Sequence, residues 1–190
     1  MRFAAFFLFV STCSLLFAAH TDMVEGTPQG VVRVQIYEDL QCGDCARFET
    51  MLQDKLLPRY GARVTFVHHD FPLGKHDWAR LAAIASRWVY EQDPSLGIDF
   101  RRELLAEQNS ITSQNLKQWI VEFAIRHRLD QKGIVDSLKD SRLAAMVDQD
   151  LTVGKTRGIS KTPTVLAGGQ TFVETVVYED VAAALNEALK

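Results

Sequence analysis

The chain has 190 residues, 47% hydrophobic and 24% charged, which suits one globular domain and excludes a disordered or fibrous chain. A formal net charge of −3 supplies neither the basic face that nucleic acid requires nor a polybasic segment for a membrane surface. Three cysteines are present, and two of them, Cys42 and Cys45, stand three apart in the stretch YEDLQCGDCARFET.

The first element is MRFAAFFLFVSTCSLLFAA, in which Arg2 precedes an apolar run that carries no charge through Ala19. This is the pattern of a secretory leader, expected to occupy residues 1–19 with cleavage near Ala18 and Ala19; a retained anchor is the alternative. Removal takes Arg2 and Cys13 away and leaves Cys42 and Cys45 as the thiols of residues 20–190. Next, VVRVQIY (Val31 to Tyr37) is β-branched and follows Gly30, which predicts a buried strand. Phe48, Met51, Leu52, Lys55 and Leu56 then recur at helical spacing, with Pro58 near the end of the helix. RVTFVHHDF (Arg63 to Phe71) alternates and predicts a second strand. Strand, helix, strand implies a right-handed parallel crossover, with Cys42 at the carboxyl end of the first strand, where open α/β sheets hold their sites.

From residue 75 to 157 the pattern is helical. KHDWARLAAIASRWVYEQ places Trp78, Leu81, Ala82, Ala85, Trp88 and Val89 on one face, and Asp93-Pro94 interrupts it. FRRELLAEQ, TSQNLKQWIVEFAIRHR with Thr112 or Ser113 as its cap, IVDSLKD and SRLAAMVDQDLTVGKTRG follow as further helices. The stripe of Trp78, Trp88 and Trp119 is read as core rather than as a cofactor site. GKT at Gly154 to Thr156 is not a phosphate loop, because Gln149 stands where the first glycine is required. TPTVLAGGQTFVET then predicts a hairpin about Gly168-Gly169, and YEDVAAALNEALK a final amphipathic helix.

The chemistry rests on the cysteine pair. A C-x-x-C disulfide closes too short a loop to restrict the unfolded chain much, so it makes a poor staple. A zinc site needs two further ligands, and His68, His69, His76 and His127 show no matching spacing; that leaves a redox pair as the favoured reading and no metal. At the start of a helix, unpaired N–H groups and the positive dipole end favour a thiolate at Cys42, the species that attacks disulfides. Cys45, one turn further in, is then the resolving thiol.

Taken in order, Asp39, Cys42-Gly43-Asp44-Cys45, HHDFPL and GISKTPTV resemble the DsbA-like disulfide oxidoreductases of the bacterial cell envelope. The resemblance implies an α/β, thioredoxin-like fold with an all-helical insertion: residues 30–74 and 158–190 form the core and 75–157 the insertion. It implies Cys42 as nucleophile, Cys45 as resolving thiol, and Pro163 as a cis-proline that, with Gly43, Asp44, Lys161 and Thr162, borders a client peptide and tunes the thiolate. It also implies that the enzyme forms or exchanges disulfides in cysteine-containing envelope or secreted proteins, without an added cofactor, and is recycled by a quinone-linked membrane oxidase. The location implied is the periplasm or cell envelope. Two departures stand out. Gly-Asp replaces the Pro-His of strongly oxidising members, and Ile36 occupies the place, six before Cys42, where many relatives bury a proton-handling acid; Asp39 or Glu38 is the candidate substitute. Lys161 is expected to favour the thiolate and Asp44 to oppose it. The reduction potential should then lie between about −120 mV for a strong oxidant and about −270 mV for thioredoxin. The short stretch from His20 to Gly30 leaves no room for a dimerisation domain, which predicts a monomer. A thiol reductase or peptide-binding chaperone of the same fold, or a structural zinc module, is the alternative.

Overall fold

The computed structural model describes residues 22–190, so the expected leader, residues 1–19, lies outside the described residues. Its framework is a five-stranded mixed sheet in the order β1-β3-β2-β4-β5. β2 (Val32–Glu38) and β3 (Val64–Asp70) are parallel neighbours at the centre, with Ile36 opposite His68 and Glu38 opposite Asp70. The crossover between them begins with α1 (Gly43–Met51), widens into a π-helical stretch over Leu52–Leu56 and closes with α2 (Leu57–Tyr60). Pro58 accounts for the widening. It has no N–H to donate and its ring crowds the preceding turn, and a wider turn lets the chain pass it without ending the helix.

One strand escapes the sequence pattern. β1 (Met23–Gly26) precedes the strand expected to be first and pairs antiparallel with β3, Met23 opposite His68. Four residues are too few to show a period, and the strand exists because the free edge of β3 offers unpaired N–H and C=O groups. With β1 and β2 on its edges and helices on its faces, all seven residues of β3 are buried.

β4 (Thr164–Ala167) runs antiparallel to β2 and turns into β5 (Gln170–Val173). Gly168 and Gly169 make that turn at φ +55° and +77°, values that suit glycine at both centres of a two-residue hairpin. The chain ends in α8 (Tyr178–Ala188), which helps α1 cover one face of the sheet. There Val34, Ile36, Phe66 and Val165 pack against Phe48, Leu52 and Leu185 in an apolar slab.

Between β3 and β4 lie α3 (Ala79–Gln92), α4 (Pro94–Glu107), α5 (Leu116–Arg126), α6 (Gln131–Ser137) and α7 (Ser141–Thr156). Asp93, Asp130 and Asp140 cap α4, α6 and α7 by accepting backbone N–H groups at the first turn. α5 starts later than its expected cap, because Thr112 and Asn115 bond to each other and Asn115 takes the capping position. Trp78 and Trp119 are buried in an apolar cluster that also contains Phe100, Phe123, Leu40, Cys42 and Cys45, so the insertion packs directly onto the cysteine turn. No helix among the described residues is long and apolar enough to cross a membrane.

At the carboxyl ends of β2 and β3 the interior is ionic. Arg101 of α4 donates to Glu38 at 2.8 Å and to Asp70 at 2.7 Å; Arg87 of α3 donates to Asp70 at 2.6 Å and also pairs with Asp150 of α7. His68 bridges Glu38 at 2.6 Å and Glu25 at 2.9 Å. Burial disfavours the charged ring, yet the two carboxylates hold His68 protonated up to about 10. The same burial would raise Glu38, but Arg101 and His68 outweigh it and hold the carboxyl down at about 2.

Candidate active site

β2 ends at Glu38 and the chain turns sharply into α1. The Cys42 amide donates to the Asp39 carbonyl at 3.0 Å, and Cys42 itself is extended, φ −90° and ψ 122°, as the residue before a helix must be. Its sulfur therefore stands at the end of α1 where free N–H groups and the dipole favour an anion. Cys45 lies one turn inward and is fully buried, whereas Cys42 keeps 9% of its surface exposed. Both are free thiols. The Cys45 sulfur accepts the Asp39 amide at 3.4 Å, and the Cys42 thiol donates to the Thr162 carbonyl at 3.3 Å. The next peptide bond, Thr162-Pro163, is cis.

The two thiols are set apart electrostatically. Donation from Cys45 is the largest influence on Cys42; burial opposes it, the Thr162 side chain and the Cys45 amide add to it, the charge of Asp39 works against it, and the thiol settles at about 6. Burial pushes Cys45 well up, and its donation to Cys42 and the negative charges of Cys42 and Glu38 push it further. One sulfur is thus ionised at neutral pH while the other keeps its proton.

Cys42, Asp44, Lys161, Thr162 and Glu174 line one cavity of about 400 Å³ together with Leu73, Gly74, Lys75 and Ser160. The expected charges around it are largely occupied: Asp44 pairs with Arg47, and Lys161 donates to Glu174 at 2.7 Å. The carboxylate that opposes the thiolate is Asp39, which sequence reasoning considered only for proton handling. Asp39 also ties the turn together: its oxygens accept from the Gln41 amide at 2.7 Å and the Leu73 amide at 2.6 Å, and its second oxygen lies 2.8 Å from the His76 ring. Glu38 is buried beneath, its Oε1 held by Arg101 and His68 and its Oε2 without a hydrogen bond among the described residues. Ile36 sits in the apolar slab, among Val34, Phe48, Leu52 and Phe66. Gly43 opens the first turn of α1, and a Cβ there would meet only the tip of Arg47.

Two residues near the pair were not anticipated. Gln108, just after α4, donates to the Cys42 carbonyl at 3.3 Å and fastens the insertion to the turn; no pattern in the sequence marks it. Glu49, four residues after Cys45, shares its face of α1 and is 4% exposed. Burial pushes its carboxyl up to about 7, with His68 offsetting and Glu25 and Glu38 reinforcing the rise. A carboxylate at the i+4 position on an otherwise apolar helix face was the clue available.

A sheet of this strand order, interrupted before β4 by a run of helices, defines a thioredoxin-like fold with an all-helical insertion. The chain belongs to the thioredoxin family, whose model, described as Thioredoxin, matches residues 18–187, and it has the DsbA-like form of that fold. It is 22% identical over 173 residues to Disulfide bond formation protein D of Bacillus subtilis, a match covering 88% of this chain and 77% of that protein. It is 27% identical over 168 residues to Na(+)/H(+) antiporter NhaA 3 of Salinispora tropica; there 88% of this chain aligns with 24% of the antiporter, so the chain spans about a quarter of that relative. The crystal structure of oxidised BdbD from Bacillus subtilis superposes with a TM-score of 0.79 at 21% identity, covering 88% of this chain and 92% of the other.

Proposed function

We propose that this protein is an exported thiol-disulfide oxidoreductase that forms or exchanges disulfides in cysteine-containing proteins of the cell envelope or secreted pool. The observation that carries the reading is the asymmetry of the pair: a Cys42 thiol at about 6 above a buried Cys45 that holds its proton. In the oxidising direction a client thiolate attacks the Cys42 sulfur of the Cys42–Cys45 disulfide, and the bond breaks toward Cys45, which takes up a proton. A second client thiolate then attacks the client sulfur of the mixed disulfide and displaces Cys42 as a thiolate. The client is left with a disulfide and the protein with two electrons on its pair. Because the leaving Cys42 is stabilised as an anion, the second step is favoured and the reduced form gains stability, which makes the disulfide more oxidising. Thr162 and Pro163 border the client chain, residues 1–19 direct export, and a quinone-linked membrane oxidase reoxidises the monomer without a further cofactor. The name of the B. subtilis relative, a disulfide bond formation protein, supports the same reading.

Equilibration of the pair with glutathione is the direct test. We expect a potential well above the thioredoxin value of about −270 mV, a Cys42 thiolate absorbance that titrates near pH 6, and faster oxidation of a reduced multi-cysteine client. Cys42→Ser should abolish exchange, and Cys45→Ser should accumulate the mixed disulfide. A potential at or below that of thioredoxin would turn the reading toward a reductase; no exchange at all would remove it.

A further inference from the structure

Asp39 is the carboxylate that opposes the Cys42 thiolate, and its side chain is fully buried. Its main chain serves both cysteines as well: the carbonyl accepts the Cys42 amide at 3.0 Å, and the amide donates to the Cys45 sulfur at 3.4 Å. How much of the Asp39 charge Cys42 feels depends on the donors that share the carboxylate. Among the described residues there are three. The Gln41 amide takes Oδ1 at 2.7 Å, while the Leu73 amide and the His76 ring share Oδ2 at 2.6 and 2.8 Å.

The third donor differs from the other two. A backbone amide is a fixed neutral dipole, whereas an imidazole can carry a full positive charge near neutral pH. An ionised carboxylate only accepts, so the ring nitrogen that faces Asp39, Nδ1, carries its hydrogen in the neutral ring and in the cation alike. A tether would not need the ring. The Leu73 amide already pins the same loop to the same oxygen, and the His76 amide closes the loop on the Leu73 carbonyl at 2.9 Å. His76 is 16% exposed, so it links the buried carboxylate to solvent. Arg80 of α3 and Lys155 of α7 line the same cavity as the ring, and Lys75 and Asp77 flank it in the chain. Arg80 pairs with Asp148, and Asp77 accepts from the Gln41 side chain at 3.0 Å.

We infer that His76 is a positioning residue for thiol-disulfide exchange: it draws the charge of Asp39 toward itself and away from Cys42, and so sets how readily Cys42 departs as a thiolate. It acts through Asp39 rather than on the sulfur. This rests on the exchange reading for the chemistry at Cys42 and adds a group outside the C-x-x-C turn that governs its poise. When a client thiolate displaces Cys42 from the mixed disulfide, the electron pair of the breaking S–S bond stays on the Cys42 sulfur; with His76 in place, that growing charge meets weaker opposition from Asp39.

The test compares the purified protein with His76→Phe, which keeps a ring and loses the donor, and with His76→Asn, whose amide N–H offers a neutral donor at about the place of Nδ1. His76→Phe should lower the acid dissociation constant of Cys42 threefold or more, read from the ultraviolet absorbance of the thiolate, and should move the glutathione equilibrium by a similar factor toward the disulfide form. His76→Asn should recover part of both changes. In an Asp39→Asn background, His76→Phe should move neither value, because the charge through which it acts is gone. A merely structural role would lower the urea midpoint and leave both values where they were. The wild-type protein supplies a measurement that needs no substitution: linkage is reciprocal, so reduction of the pair should raise the midpoint of the His76 ring titration followed by NMR. The inference is overturned if His76→Phe leaves the Cys42 titration unchanged, if its effect persists undiminished with Asp39→Asn, or if the His76 ring titrates identically in the oxidised and reduced protein. The exchange reading fails separately, when the wild-type pair does not equilibrate with glutathione; the thiolate and ring titrations still decide the role of His76 in that case.

Discussion

Two regions of this molecule are equally dry and chemically opposite. Under α1 and α8 the sheet presents Val34, Ile36, Phe66 and Val165, and stability there comes from apolar area and close packing. At the carboxyl ends of β2 and β3 the interior holds Glu38, His68, Asp70, Arg87, Arg101 and Asp150, each 3% exposed or less. Packing tolerates small changes in shape, because neighbours relax into part of the lost volume. A buried ionic cluster has no such slack: removing one partner strands a charge that cannot reach water. The cysteine turn is built where the two regions meet, with Ile36 in the slab and Glu38 in the cluster two residues on.

The sharpest way to test the contrast is Arg101→Met, which keeps the volume and leaves Glu38 and Asp70 short of a cation. We expect a loss of about 3–5 kcal/mol in urea unfolding. A loss below about 1 kcal/mol would mean that Arg87 and His68 suffice and that the cluster is not tightly coupled. In the slab, Leu52→Ala should cost about 3 kcal/mol, the sum of lost transfer energy and a residual cavity. Leu52→Met should cost under about 1.5 kcal/mol, since it conserves volume; if the two substitutions were equally damaging, the slab would be as rigid as the cluster.

Effects of pH separate the regions further. Glu38, held at about 2, contributes stability that is present above the ordinary value of 4.5 and is lost as pH falls through 2. His68, held at about 10, contributes below its ordinary 6.5, a contribution lost as pH rises toward 10. Glu49 has the opposite sign to Glu38. Its folded value of about 7 means that the folded state binds the extra proton, so stability should decline between pH 4.5 and 7. Glu49→Gln should flatten that decline in thermal melts across this window, and an unchanged slope would show that Glu49 does not titrate there.

The smallest effect is expected at the surface. Asp44 is paired with exposed Arg47, and Asp39 already opposes the thiolate. Asp44→His should therefore raise the reduction potential by less than about 30 mV, a tenfold change in equilibrium constant being about 30 mV for two electrons. A larger rise would restore the dipeptide as the main determinant of redox poise.

Much of this arrangement was legible before any coordinates. The β-branched run from Val31, the helical spacing from Phe48 to Leu56 and the Gly168-Gly169 turn are local patterns, and local patterns carry their own periodicity. C-x-x-C at a strand-to-helix turn likewise predicted that Cys45 would be the more deeply buried thiol. The sequence could not show that MVEG is a strand, because β1 exists only through its pairing with β3. Nor could it weigh the charges. Asp44 lies between the cysteines in the chain yet is answered by Arg47, whereas Asp39, three residues before Cys42, is folded back to touch the Leu73 amide and oppose the thiolate. The six charges of the ionic cluster come from β2, β3, α3, α4 and α7 and read along the chain as ordinary solvated residues. Coulomb interactions and burial depend on distance through space, so only the tertiary structure decides which carboxylate acts on Cys42 and which arginines answer Glu38 and Asp70.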